Sequence, residues 1–155
     1  MSNMLYRVIN PIVKGLLRSP LHGVMSKNTL LLEFKGRKSG RTLSTPVSYH
    51  TKGGHVHCFS SKDYPWWRNL VDADSVALTL RGRRVIGKPS VTIDEPEIMK
   101  AALTEFLTAV PRDAAHAGVA LDENERPVER QVAKAVAGLV YISIELSNEQ
   151  ATSTV

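Results

Sequence analysis

Four cations, Lys35, Arg37, Lys38 and Arg41, crowd the short stretch FKGRKSGR, with Gly36 and Gly40 between them. Glycines adopt backbone angles that other residues resist, so this is a tight basic turn. Guanidinium and ammonium groups on a loop with exposed backbone N–H groups suit an anion with several negative oxygens, and Ser39 adds a hydroxyl. Thr42, Ser44, Thr45 and Ser48 follow, short donors that can lie along an extended ligand. Pro46 cannot donate to a strand ladder, which marks this segment as an edge, a bulge or a place where a sheet opens. The plain alternative is a solvated hairpin turn.

A second group follows in SSKDYPWWRNL, residues 60–70. Asp63 is placed to cap a short helix, with Pro65 in its first turn. Ser60, Ser61 and Lys62 then sit beside free helix N–H groups, a second anion-friendly arrangement. Trp66 and Trp67 are the only two tryptophans. Adjacent helical side chains diverge by about 100°, so one can enter the core while the other lines a cleft. Both could equally serve as anchors. A planar ligand would give the cleft-facing indole its purpose.

The remaining candidates carry less. His55 and His57 share a strand face, but no third ligand accompanies them and Cys58 points the other way, so no metal is expected. Arg81, Arg83, Arg84 and Lys88 form another basic cluster, which a solvated hairpin end explains. No nucleic-acid motif accompanies it. Tyr6, Tyr49, Tyr64 and Tyr141 could each offer a proton or hydrogen bond to a reduced acceptor. The sequence selects none of them, and no catalytic residue is assigned.

The elements that must position these groups alternate between two periods. Leu30, Leu32 and Phe34 alternate with Leu31, Glu33 and Lys35, the signature of a strand over about Thr29–Lys35. Further strands are expected over Thr42–His50, His55–Ser60, Ser75–Arg81, Arg83–Ile93 and Leu139–Leu146, with a glycine loop over Thr51–Gly54. Asp94-Glu95-Pro96-Glu97 resembles a capping box opening a helix to about residue 109, its core face Ile98, Met99, Ala102, Leu103, Phe106 and Leu107. Pro111 ends it, a long polar loop covers 112–130, and Val128–Ala137 reads as a short helix. Residues 4–17 form an amphipathic pattern with a basic border. Packing on the sheet is its expected role, and peripheral membrane contact the sharper one.

Composition bounds the class. The chain has 155 residues, 20 basic and 15 acidic side chains and a formal charge of +5. That excess favours anionic partners. One cysteine forms no internal disulfide, and no apolar run reaches membrane-spanning length, so a cytoplasmic protein is expected. The pattern predicts one domain over 1–147 with a frayed tail over 148–155. Its fold class is mainly β with helices (α+β): a six-stranded antiparallel split β-barrel whose helices cover ends and gaps.

Taken in order, GRKSGRTLSTPVSY, the glycine hairpin, the strand ending in two serines, PWWRNL and the strand after Asp72-Ala73-Asp74 resemble the deazaflavin-dependent nitroreductase family. The likeness runs from about Leu16 to Gly87. It implies a split barrel related to FMN-binding barrels and use of coenzyme F420 as hydride donor to a quinone, nitroaromatic or activated alkene. The family's basic turn maps onto Lys35, Arg37, Lys38, Ser39, Gly40 and Arg41. Thr45, Pro46 and Val47 would lie against the ring, Ser60, Ser61 and Lys62 on the phosphate side, and Trp66, Trp67 and Asn69 on the tryptophan helix. The loop SKDYP is shorter than in many members. A homodimer is also implied. FMN is the alternative cofactor, and a non-catalytic, membrane-associated carrier of a cofactor or lipid is the alternative class.

Overall fold

The computed structural model describes residues 28–147. The expected helix over 4–17 and the tail over 148–155 lie outside the described residues. Seven strands form one antiparallel sheet: β1 (Thr29–Lys35), β2 (Thr42–Ser48), β3 (His50–Lys52), β4 (His55–Ser61), β5 (Val76–Leu80), β6 (Arg83–Thr92) and β7 (Leu139–Leu146). Their order across the sheet is β2-β1-β5-β6-β7-β4-β3.

The expectation of six strands is corrected to seven, because Thr42–His50 is not one strand. It changes partner at Tyr49: β2 pairs with β1, and β3 pairs with β4. The Tyr49 N–H bonds the Asn28 carbonyl at 2.9 Å, one step beyond the Thr29–Ser48 pair in the β1–β2 register, and the next residue, His50, pairs with β4. The two border strands, β2 and β3, are therefore consecutive in the chain with one residue between them. That connection obliges the sheet to curl until its borders meet, giving a curled antiparallel half-barrel.

Alternation then decides the inside. Leu30, Leu32 and Phe34 of β1, Val56 and Cys58 of β4, Val76 and Leu78 of β5, and Val140, Ile142 and Ile144 of β7 fill the interior. Burial without a charge partner pushes the Cys58 thiol up to about 12. β1 departs from simple alternation, since Leu31 and Glu33 are buried as well. Gly87 sits where β6 crosses β7 so closely that a Cβ there would lie 2.5 Å from Ile144 Cγ2.

Among the described residues two α-helices lie between β6 and β7, α1 (Pro96–Ala109) and α2 (Glu129–Ala135). Met99, Leu103, Phe106 and Leu107 of α1 pack with Val110, Ala114, Val119, Val132 and Val136 into a second core. Phe59 of β4 and Leu139 and Tyr141 of β7 pack against it from the outer sheet face. The helical layer thus covers the outside of β4 and β7 rather than only the barrel's ends.

Several local expectations change. Ile98 is 52% exposed, because the buried stripe of α1 starts one residue later, at Met99. The expected capping box does not form: Glu95 occupies the cap position without a side-chain bond. Its neighbour Asp94 pairs instead with Lys62, Nζ to Oδ1 2.7 Å. The segment 112–130 is structured, with a 3₁₀ turn at Pro111–Asp113, a bridge between Leu121 and Pro127, and buried Ala114 and Val119.

Candidate functional site

The chain reverses between β1 and β2 through a closed turn. The Gly36 N–H bonds the Arg41 carbonyl at 2.8 Å, and the Gly40 N–H bonds the Gly36 carbonyl at 2.8 Å. Gly40 takes φ +71°, which a side chain resists. The Arg41 N–H is held by Ser39 Oγ at 3.2 Å, and the Arg37 N–H by Asn69 Oδ1 at 2.9 Å. The expected exposed N–H groups of this turn are therefore largely spent inside the protein. Its capacity for an anion rests on side chains: Lys35, Arg37, Lys38 and Arg41 are all exposed.

Pro65–Leu70 is a single 3₁₀ segment, short because Pro65 starts it and Leu70 must reach the core. Tyr64, not Asp63, holds its cap position, without a side-chain bond. The Asp63 N–H instead bonds Ser61 Oγ at 3.2 Å. Both indoles are buried, and Trp66 alone of the two also lines the cleft beside β2. Trp66 packs on Phe34, ring centres 6.0 Å apart. Trp67 donates Nε1–H to the Lys62 carbonyl at 3.3 Å, with the Arg68 guanidinium 5.3 Å from its ring centre. Asn69 ties the segment to the basic turn, receiving Arg37 N–H and donating Nδ2–H to the Trp66 carbonyl at 2.9 Å.

Between border strand β2, the end of β4 and the start of the helical layer lies a cleft of about 980 Å³. That matches the upper range of small-molecule sites. Thr45, Pro46, Val47, Ser60, Ser61 and Trp66, all singled out from the sequence, line it. Four successive β2 residues, 45–48, line it because β2 is a sheet border, as Pro46 implied. Lys35–Arg41, Lys62, Trp67 and Asn69 do not line it; the turn is tied to the Trp66 segment through Asn69, and Lys62 is paired with Asp94.

Sequence reasoning missed half of the lining. Phe59, Leu103, Phe106 and Leu139 supply an apolar wall; Tyr64, one of the four tyrosines weighed from the sequence, adds an exposed aromatic rim. Thr29, Arg112, Asp113 and His116 close the other end. Arg112 Nη2 donates to Thr29 Oγ1 at 3.1 Å, and its Nε lies 3.8 Å from Asp113 Oδ1. Their signal was a charged run just after Pro111, indistinguishable in sequence from a solvated loop.

The wall is braced from behind by five stacked or edge-packed rings. Phe106 meets Phe59 and His50 edge-on, Phe59 stacks on Tyr141, Tyr141 on His57, and His57 on His50 at 4.8 Å. Tyr141 Oη and His57 Nδ1 share a hydrogen bond of 2.7 Å. Burial raises the Tyr141 phenol, with a Ser143 hydrogen bond opposing. Burial and the neighbouring His57 lower the His50 imidazole, while Glu105 opposes. Among the described residues no group of three His, Cys, Asp or Glu side chains is placed to hold a metal.

The fold has solved counterparts. A candidate pyridoxamine 5'-phosphate oxidase from Listeria innocua is similar at TM-score 0.50, with 11% identity over 83% of this chain and 90% of that one. An FAD-binding protein from Mesorhizobium loti is similar at TM-score 0.50, with 16% identity over 84% and 91%. A third structure, a domain-swapped dimer, reaches TM-score 0.52 with 17% identity over 90% and 96%. These identities establish a shared fold, the curled antiparallel half-barrel, and nothing narrower. No family model and no curated protein matches the chain in sequence. No helix among the described residues is long and apolar enough to cross a membrane.

Proposed function

We propose that this chain is an oxidoreductase whose 980 Å³ cleft holds the ring of a flavin-type cofactor. The observation that carries the reading is one cleft with an apolar wall on one side and hydroxyls along a sheet border on the other, on a fold shared with an FAD-binding protein. Phe59, Phe106 and Leu139 suit a planar ring, and Thr45, Ser48, Ser60 and Ser61 suit its polar edge and side chain. The ring, when bound, supplies hydride chemistry. The protein's share is to orient it, to exclude water with the apolar wall, and to leave one face open beside Tyr64 for a small-molecule acceptor. An FAD-binding neighbour supports a flavin in this cleft, and FMN is the flavin weighed from the sequence.

A second reading, coenzyme F420, draws on a separate observation. Four exposed cations, Lys35, Arg37, Lys38 and Arg41, lie outside the cleft on the turn tied to the Trp66 segment, where a long polyanionic tail would emerge. This reading, with a quinone, nitroaromatic or activated alkene as acceptor, follows the family resemblance. Fluorescence titration with FMN and coenzyme F420 separates the two. FMN binding with a yellow purified protein supports the first; preference for F420 that falls with salt supports the second. Replacing Arg37, Lys38 and Arg41 together by alanine should abolish tail-dependent affinity; unchanged affinity removes the turn from the site. Binding of neither cofactor refutes the oxidoreductase and leaves the carrier class. A homodimer is part of the proposal, by analogy with the domain-swapped neighbour, and sedimentation tests it. Membrane contact through residues 4–17 is tested by liposome flotation of full-length and truncated chains.

A further inference from the structure

The two ends of the cleft differ in chemistry. At one end Trp66 packs on Phe34, next to the basic turn. At the other, Arg112 is bonded to Thr29. Thr29 and Phe34 are five residues apart on β1, and a strand rises about 3.3 Å per residue, so the β1 partners of Arg112 and Trp66 stand roughly 17 Å apart along the strand. An elongated ligand can therefore enter in two orientations, and the polar groups at the Thr29 end choose between them.

Those groups are Thr29, Arg112, Asp113 and His116. Arg112 is a donor fork tied to Thr29; Asp113, its side chain only 19% exposed, is an acceptor 3.8 Å from Arg112 Nε. A phosphate would gain from Arg112 and be repelled by Asp113. A cyclic imide edge, carbonyl–NH–carbonyl, satisfies both: its carbonyls accept from the cation and its N–H donates to the carboxylate. Flavins and deazaflavins carry the same imide on their pyrimidine ring.

We infer that Arg112 and Asp113 form an imide-reading subsite, so that the ring lies with its pyrimidine edge toward residues 111–116 and its phosphate-bearing side chain toward the basic turn. The inference rests on the flavin-type reading of the cleft but not on the choice between FMN and F420. It also gives Arg112 an electrostatic role. A reduced flavin ring carries negative charge at its pyrimidine end, and a neighbouring guanidinium favours that form.

The test is fluorescence titration of the full chain with FMN, riboflavin and N3-methylriboflavin. The wild-type protein should bind riboflavin about tenfold or more tightly than its N3-methyl analogue, the effect of one hydrogen bond to a charged acceptor. Asp113→Ala should erase that preference. Arg112→Gln should weaken FMN and riboflavin by the same factor and make the bound flavin's midpoint potential more negative, with Arg112→Lys restoring part of both. Equal wild-type binding of riboflavin and its N3-methyl analogue overturns the subsite without needing a variant. Arg112→Gln weakening FMN alone would put the phosphate at this end and overturn the orientation. A wild-type chain that binds none of the three ligands and no coenzyme F420 overturns the flavin-type reading itself, and the subsite with it; where F420 alone binds, Asp113→Ala and Arg112→Gln should each weaken it, and unchanged affinity in both overturns the subsite.

Discussion

Asn69 is the joint between the basic turn and the cleft, and its removal tests whether that joint matters. Its side chain accepts from Arg37 N–H and donates to the Trp66 carbonyl, both at 2.9 Å. Each neutral hydrogen bond contributes about 0.5–1.5 kcal/mol net, and water can replace part of it at this half-buried site, so Asn69→Ala should cost about 1–1.5 kcal/mol of stability. For a chain of this size the urea slope is about 1–3 kcal/mol per M, so the midpoint should fall by roughly 0.5–1 M with the slope unchanged. The second consequence concerns binding. An untethered turn must be ordered again when it meets a phosphate, and about 1 kcal/mol of lost preorganisation is roughly fivefold in affinity. FMN affinity should therefore fall about fivefold and riboflavin affinity should hold, since riboflavin has no phosphate. Urea melts and paired titrations read both numbers. Loss of riboflavin affinity equal to that of FMN would refute the reasoning, because Asn69 would then be shaping the cleft wall through Trp66. No change in either quantity would show that the tether carries no load.

Three further outcomes follow from the geometry. Gly87→Ala places a methyl 2.5 Å from Ile144 Cγ2 and 2.9 Å from the Glu145 carbonyl oxygen, whereas Gly138→Ala meets nothing within 4 Å. The first should cost about 1–3 kcal/mol and the second well under 1, and equal urea midpoints would contradict this. Because the His50 imidazole is depressed in the folded state, the unfolded chain takes up that proton at higher pH. Its contribution is full above the unfolded value of about 6.5 and is lost as pH falls from there toward the folded value. His50→Gln should flatten the melting temperature between pH 7.5 and 5; parallel wild-type and variant curves would exclude His50 as the cause. Cys58, fully buried with its thiol at about 12, should resist a thiol reagent at pH 7.5 in the native protein and react on unfolding. Rapid native labelling would contradict its placement.

Strands were the legible part, because alternation is local. β1, β4, β5, β6 and β7 follow from their own residues, and α1 from its i, i+4, i+7 stripe of Met99, Leu103 and Phe106. The break at Tyr49 was not legible, since Val47, Ser48 and His50 suit extended backbone equally well on either side of a change of partner. The candidate site divided along the same line. Residues on one continuous stretch, Thr45, Pro46 and Val47, reached the cleft. Those whose position depends on a distant partner went elsewhere, Lys62 to Asp94 and Trp67 to the core. Arg112 and Asp113 escaped notice because their partner, Thr29, lies 83 residues away from Arg112 in the chain.

The single residue between β2 and β3 has a consequence for how the protein can fail. Tyr49 is the one backbone link joining the sheet's two borders directly, while the ladders holding those borders lie on β1 and β4. Cutting the chain there would sever no ladder bond, yet it would let the curled sheet relax and present two unsatisfied strand edges at once. A nick at this seam is thus a short route from the folded protein to edge-to-edge aggregation, and burial of Tyr49 (5% exposed) withholds the seam from a protease.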